Sequence, residues 1–173
     1  MPRETFFNLS DEKKEKIINA AKTEFTEHEL FKSRVSNIIK NADIPRGSFY
    51  QYFEDLEDLY YFVIDEFFDG VFIEGNRFTE STDDLFQFSI NSFEFDYDAY
   101  TNDKRHKFMM NVMKSISDNE DYINRFNLKR RNYILQILGK MDLSKIRITD
   151  QDELIKMYTM IQNVKIWITS FEV

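Results

Sequence analysis

The chain has 173 residues, 42% of them apolar and 31% charged, a composition that is typical of a globular protein and argues against a disordered one. It has no cysteine, which excludes disulfide frameworks, thiol catalysis and cysteine zinc sites. The formal net charge of −8 argues on its face against a nucleic-acid partner.

The first long helix is predicted to follow Ser10, which suits an N-cap and is followed by two acidic residues in the first turn. Ile17, Ala21 and Phe25 recur at four-residue spacing and give the helix one inward stripe. With only four glycines and two prolines, the chain lacks the tight turns that sandwiches and barrels need. An all-α fold is therefore predicted.

A helix-turn-helix motif is predicted next along the chain. A short helix is expected after Ser33, its predicted N-cap. Asp43 is one of the few residue types other than glycine that tolerate a left-handed conformation at a helix end. Pro45 cannot continue a helix but suits the start of the next one. The segment "ADI" is thus predicted to be a tight turn between two short helices.

The helix after this turn has two different sides. Phe49 and Phe53 lie four residues apart and are predicted to face the core, with Ile44 packing at the corner. Residues that suit a DNA major groove occupy the opposite side and its flanks: Arg46, Gly47, Ser48, Tyr50, Gln51 and Tyr52. Arginine binds guanine edges or phosphate, serine and glutamine offer small hydrogen-bonding groups, and tyrosine offers a ring for thymine methyls.

The charge is distributed unevenly along the chain. Residues 1–50 hold 9 basic and 8 acidic residues and have a net charge of +1, whereas the remainder holds 14 and 23 and has a net charge of −9. Because the local charge at a docking face neutralises phosphates, this pattern permits a nucleic-acid role for the head.

The rest of the chain is predicted to be helical. Asp55 is the predicted cap of a fourth helix, and Gly70 and Gly75 in "DGVFIEGNRF" are predicted to mark the joint between a head and a body. Gly139 is expected to end the helix before the last, and Thr149 or Asp150 to cap the last one. The four later helices are predicted at about 82–96, 101–116, 120–139 and 150–171.

Residues 10–68 resemble the DNA-binding head of the TetR (tetracycline-repressor-like) family. The matching segments are "IINAAKTEF", "SRVSNIIKNADI" and "RGSFYQYF", which runs into "EDLEDLYYFVID". Family members typically have a Gly-Thr-Leu-Tyr-x-x-Phe core, which reads here as Gly47-Ser48-Phe49-Tyr50-Gln51-Tyr52-Phe53. The resemblance covers about the first third of the chain.

The resemblance implies a DNA-binding domain in residues 1–54 and a helical ligand-binding and dimerisation domain in residues 55–173. It implies contacts to phosphate by Ser33 and Arg34, with Ser36 near the groove. Arg46, Gly47, Ser48 and Tyr50 would then lie over base edges, and Gln51 and Tyr52 on the DNA backbone. Two departures from the family pattern are Pro45 in place of the usual serine and Leu56 in place of a phosphate-binding lysine.

The function implied is that of a TetR-like transcriptional regulator, a homodimeric repressor released from palindromic double-stranded operator DNA by a small apolar or aromatic effector. The alternative is a helical sensor or adaptor whose head no longer binds DNA, a function that Leu56, Pro45 and the acidic total allow. The last residues, "WITSFEV", fall within a predicted helix, which leaves open a differently built dimer interface or a shortened C-terminus.

No enzymatic activity is predicted, because no nucleophile–base constellation, phosphate-binding glycine loop or metal cluster is visible. The chain has no predicted cofactor or metal, and His28 and His106 have no second ligand at useful spacing. No apolar run reaches the length of a signal peptide or a membrane span, which predicts a cytoplasmic protein. Most body aromatics are expected in the core or the dimer seam, and the first to inspect for an effector pocket are Phe86, Phe93, Tyr100, Phe108, Met109, Tyr133 and Trp167.

Overall fold

The computed structural model describes residues 1–101, 103–116 and 119–169, apart from the side chains at 94–96, 98–101, 103 and 165–169. This part of the chain folds into helices, which confirms the predicted all-α class. They are α1 (Glu4–Phe7), α2 (Asp11–Glu27), α3 (Val35–Ala42), α4 (Arg46–Tyr52), α5 (Leu56–Arg77), α6 (Leu85–Thr101), α7 (Asp103–Ile116), α8 (Glu120–Leu138) and α9 (Gln151–Thr169). Short 3₁₀ turns at Leu30–Lys32 and Phe78–Glu80 precede α3 and follow α5.

The first compact unit comprises Met1–Asp69 and Lys104–Asp118. Its core is built from the predicted inward stripe of α2 and the apolar faces of α3, α4 and α5. The fully buried side chains there include Ile17, Ala21, Phe25, Ile38, Phe49, Phe53, Leu59 and Val63. The rings of Phe25 and Tyr60 meet edge to face with their centres 4.8 Å apart, so α2 and α5 pack directly.

The second compact unit comprises Gly70–Asp103 and Asn119–Val173. One apolar cluster holds α6, α8 and α9 together, and its buried members are Leu85, Phe88, Ile134, Ile137, Leu138, Met141, Leu154 and Tyr158. The main-chain N–H of Asp142 donates to the carbonyl of Asp83 at 2.7 Å, which ties the loop after α8 to the start of α6. None of the described helices combines the length and the apolarity needed to cross a bilayer.

Helix α5 continues through Gly70 and Gly75 as far as Arg77, so neither glycine ends it. Along the chain, the division between the two compact units nevertheless falls between Asp69 and Gly70, at the predicted joint. Glycine costs a helix only about 1 kcal/mol relative to alanine. Gly75 has a packing reason: a Cβ built there would lie 2.0 Å from the hydroxyl oxygen of Tyr133. The ring of Tyr133, which lies on α8, stacks on that of Phe72 on α5, with ring centres 4.5 Å apart.

Most helix caps agree with the sequence. The Asp150 carboxylate accepts from the main-chain N–H of Glu153 at 2.9 Å, and Asp55 accepts from Asp58 at 2.8 Å. Gly139 is the C-cap of α8, as predicted. Ser33, in contrast, is not the N-cap of α3, since that position belongs to Arg34. The boundary predicted between residues 54 and 55 divides functional domains and stays a prediction.

Candidate nucleic-acid interface

The turn between α3 and α4 has the geometry that its residues predicted. Asp43 adopts a left-handed conformation, with φ 54° and ψ 50°. The main-chain N–H of Ile44 donates to the carbonyl of Ile39 at 3.0 Å, and so satisfies a carbonyl at the end of α3. Pro45 is the N-cap of α4. The carboxylate of Asp43 also lies 3.6 Å from the ammonium of Lys16 on α2.

The inner side of α4 is the predicted one. Phe49 and Phe53 are fully buried, and Ile44 at the corner is 8% exposed. The rings of the two phenylalanines lie 5.6 Å apart between their centres. Burying two aromatic rings stabilises α4 by several kcal/mol, so a helix too short to persist alone is held in place by its packing.

The opposite side, which we call the outer face of α4, consists of Arg46, Gly47, Tyr50 and Gln51. All four residues are exposed, and Tyr50 retains 40% of its accessible surface. The guanidinium carbon of Arg46 lies 5.9 Å from the ring centre of Tyr50, close enough for a cation–π contact. Ser48 is half-buried at the flank. Nothing in the described part of the chain lies within 4 Å of a Cβ built on Gly47, so another molecule can approach the backbone there.

Tyr52 does not belong to the outer face. Its side chain is only 6% exposed, and its ring centre lies 6.4 Å from that of Phe6. Position 52 follows Phe49 by three residues, which brings its side chain round to the inner side of the helix. The structure thus places the ring of Tyr52 in the core of the head, and the predicted contact of this residue with the DNA backbone stays a prediction.

The predicted phosphate contacts at the start of α3 divide into two kinds. Ser33 is buried, and its hydroxyl donates to the carbonyl of Glu29 at 3.1 Å, so its hydrogen is already used. Arg34 and Ser36 are exposed. No acidic side chain within the described residues forms an ion pair with Arg34, which leaves its guanidinium available to an anion.

Glu24 is a residue of this site that the sequence did not reveal. Its carboxylate is buried on α2 and accepts from the main-chain N–H of Arg34 at 2.8 Å. Both carboxylate oxygens also lie 3.1 Å from the side-chain amide nitrogen of Asn37. Arg34 makes no side-chain cap, and Glu24 supplies an acceptor for the main-chain N–H of this N-cap residue at the start of α3. The available signal was an acidic residue on the inward stripe of α2.

Helix α7 packs on the C-terminal end of α2 within the same unit. The side-chain amide of Asn111 donates to the carbonyls of Phe25 and Thr26, at 3.2 and 3.0 Å. The ammonium of Lys107 donates to the carboxylate of Glu27 at 2.8 Å, and this hydrogen bond and charge lower the pKa of Glu27. The residues of each pair are 80 to 86 positions apart in sequence, so no local sequence pattern could predict these contacts.

An open apolar groove of about 890 Å³ runs between α6 and α9 in the second unit. Its lining includes Phe86, Ile90, Phe93, Met157, Met160 and Val164. Phe86 and Phe93, two of the residues named as the first to inspect for an effector pocket, line this groove. Phe108 instead is buried against Phe67 in the first unit, and the side chains of Tyr100 and Trp167 lie outside the described residues. The described residues hold no group of three or more metal-ligating side chains.

Comparison of the sequence with models of known protein families found no match, and comparison with curated proteins found none either. The fold, in contrast, is similar to the crystal structure of a TetR family transcriptional regulator from Chloroflexus aurantiacus J-10-FL, with a TM-score of 0.58. The sequences are 23% identical, and the match covers 95% of this chain and 77% of the other. The chain therefore has the fold of a TetR family regulator, a helix-turn-helix head followed by a helical body.

Proposed function

We propose that the chain is a TetR-like transcriptional regulator that acts in the cytoplasm and binds double-stranded operator DNA through the outer face of α4. The observation that carries the proposal is the separation of the two sides of this helix. Phe49 and Phe53 are fully buried, whereas Arg46 and Tyr50 are exposed beside each other. An exposed helix that carries arginine and tyrosine after a tight turn suits the width of a major groove.

Exposed cations around α4 support binding to the DNA backbone. Arg34 at the start of α3, Lys40 in its last turn and Arg46 are all exposed. Among the described residues, none of the three forms an ion pair with an acidic side chain. Cations that keep their charge unpaired can replace the counterions of phosphates, and this exchange drives non-specific and specific binding alike.

We further propose that the chain acts as a homodimer on a near-palindromic site. The apolar groove of the second unit supports this, because Phe86, Ile90, Met160 and Val164 each expose more than half of their surface. A surface of this kind is unfavourable in water and is stabilised when a second copy covers it. Two copies of α4 would then meet successive major grooves, about 34 Å apart.

Repression relieved by a small apolar effector completes the proposal. Helix α7 follows α6 in the chain and is hydrogen-bonded to the end of α2 through Asn111 and Lys107. An effector that prefers one arrangement of these helices would shift the heads away from the spacing that DNA requires. The effector's differential affinity for the two arrangements would set the size of the response.

Selection from a random-sequence duplex library with the purified protein tests the proposal. We expect enrichment of a near-palindromic sequence, and a log–log plot of affinity against salt with a clearly negative slope. Enrichment of no sequence would contradict the proposal and favour the alternative, an adaptor whose head no longer binds DNA.

The Met160→Glu variant tests the dimer separately, since it places a charge on the exposed apolar groove. Sedimentation should show dissociation of this variant, while the exposed substitution Lys145→Glu leaves the oligomeric state unchanged. A wild-type protein that sediments as a single chain at the concentrations used for DNA binding would refute the dimer.

A further inference from the structure

A short N-terminal segment packs on the C-terminal end of α4. We call Arg3–Phe7 the N-terminal brace; it comprises α1 and its N-cap. The three-helix head implied by the family resemblance begins near residue 10, so this element is additional to it. The brace contacts the helix that carries the outer face, and its effect on that helix follows from two hydrogen bonds and one buried ring.

The hydrogen bonds satisfy carbonyls that α4 leaves unpaired at its end. The main-chain N–H of Arg3 donates to the carbonyl of Tyr52 at 2.8 Å. The hydroxyl of Thr5 donates to the carbonyl of Gln51. The last four carbonyls of any helix lack partners within the helix, and in a helix of seven residues two such bonds involve a large share of the backbone.

The buried ring anchors the brace. Phe6 is 1% exposed, and its ring centre lies 4.9 Å from that of Phe53 and 5.3 Å from that of Phe62 on α5. Phe6 thus packs against both the end of α4 and the helix that follows it. This anchorage holds Arg3 and Thr5 at the positions from which they donate.

We propose that the N-terminal brace positions α4 for DNA binding, with Arg3 and Thr5 acting as positioning residues through their hydrogen bonds to the end of the helix. The proposal rests on the proposed function. Gln51 supplies both an outer-face side chain and a carbonyl that the brace binds, so loss of the brace would loosen the face itself. The brace need not touch DNA to have this effect.

Two matched pairs of variants in the full chain isolate the hydrogen bonds. Arg3→Pro removes the donating N–H, and the φ of −75° at this position accommodates proline, whereas Arg3→Ala removes only the side chain. Thr5→Val removes the hydroxyl at nearly constant shape, whereas Thr5→Ser keeps it. Arg3 and Thr5 are exposed, so the variants are expected to retain the fold.

Amide hydrogen exchange followed by mass spectrometry measures the effect on α4 without DNA. In Arg3→Pro and Thr5→Val, we expect amides of residues 46–53 to exchange about 3- to 10-fold faster than in the wild type. Exchange in Arg3→Ala and Thr5→Ser, and throughout α8 in every variant, should stay at the wild-type rate. If residues 46–53 exchange at the wild-type rate in all four variants, the brace does not hold α4.

Affinity for the duplex enriched by the wild-type protein provides the second measurement. We expect binding to weaken about 3- to 10-fold in Arg3→Pro and Thr5→Val, and Thr5→Ser to bind like the wild type. Faster exchange with unchanged affinity would overturn the positioning role. If the wild type enriches no duplex, the proposed function fails together with this role, while hydrogen exchange still decides whether the brace holds α4.

Discussion

The buried carboxylate of Glu24 accepts a hydrogen bond of 2.8 Å from the main-chain N–H of Arg34. This contact fixes the start of α3 to α2, and a second contact to the side chain of Asn37 reinforces it. One acidic side chain on α2 thus binds the first helix of the helix-turn-helix. The position of α4 relative to α2 depends on it, because α3 and α4 are joined by only three residues.

The variant Glu24→Ala tests this contact. It leaves the N–H of Arg34 and the amide of Asn37 without their acceptor, and the cost of such unpaired buried groups is about 1–3 kcal/mol of unfolding free energy. Glu24→Gln keeps one oxygen for the N–H of Arg34 and should lose less. Urea unfolding measures both variants, and an equal loss in the two would contradict the assignment.

Substitutions of Asn111 test the hydrogen bonds that join α7 to α2. Asn111→Ala removes two hydrogen bonds to the carbonyls of Phe25 and Thr26 and should lower the unfolding free energy by about 1 kcal/mol. Asn111→Asp should be worse, because its carboxylate would face two carbonyl oxygens at the negative end of the α2 dipole. Thermal unfolding near neutral pH compares them, and greater stability in Asn111→Asp than in Asn111→Ala would refute the geometry.

Tyr60 is expected to be replaceable by phenylalanine. Its hydroxyl is buried and makes no hydrogen bond of ordinary geometry with the described residues, although the Ser115 hydroxyl is close enough to act on its pKa. Tyr60→Phe therefore removes a polar group that gains little from the fold. We expect the unfolding free energy at neutral pH to stay the same or to rise by up to about 1 kcal/mol. A fall in the unfolding free energy of more than about 1 kcal/mol would show that the hydroxyl has a hydrogen-bond partner.

The same residue predicts a dependence on alkaline pH. Burial raises the pKa of Tyr60 to about 12, although the Ser115 hydroxyl acts in the opposite direction. The unfolded chain releases this proton from about pH 10, whereas the folded chain keeps it to about pH 12. Stability from this group is therefore complete below pH 10 and declines between pH 10 and 12. The decline in unfolding free energy over that range should be shallower in Tyr60→Phe than in the wild type.

Two glycines of α5 form a matched pair. Gly75→Ala places a Cβ 2.0 Å from the hydroxyl oxygen of Tyr133, so the tyrosine side chain has to shift and its stacking on Phe72 is disturbed. We therefore expect a loss of about 1–3 kcal/mol despite the better helix propensity of alanine. Gly70→Ala meets no described atom within 4 Å and should gain about 0.5–1 kcal/mol. Chemical unfolding of both variants tests the pair. A gain in both would show that Tyr133 does not approach α5 this closely.

These contacts also show which parts of the structure were predictable from the sequence. The turn after α3 was, because a left-handed aspartate, a proline and two phenylalanines at four-residue spacing act within about ten residues. The brace was not, since Phe6 is held by Phe53 and Phe62, far along the chain. The packing role of Gly75 was not predictable for the same reason: in sequence, a glycine that makes room for Tyr133 cannot be distinguished from a glycine that ends a helix.

The accuracy of the predicted site depended on which side of α4 each residue faces, and not on contacts between residues far apart in sequence. Arg46, Gly47, Tyr50 and Gln51 lie on the exposed side of α4, as their spacing from Phe49 and Phe53 indicated. Tyr52 was placed at the flank, although its position three residues after Phe49 turns it inward. The roles of the outer-face residues in reading bases stay a prediction.

Alanine substitution in the outer face of α4 tests the central claim most directly. The affinity of Arg46→Ala and of Tyr50→Ala for the duplex selected by the wild type should fall by about 1–3 kcal/mol each if these side chains read bases. Arg147→Ala removes an exposed cation of the second unit and serves as the control that should bind normally. Wild-type affinity in both outer-face variants, with unfolding free energies unchanged, would contradict the claim that this face enters the major groove.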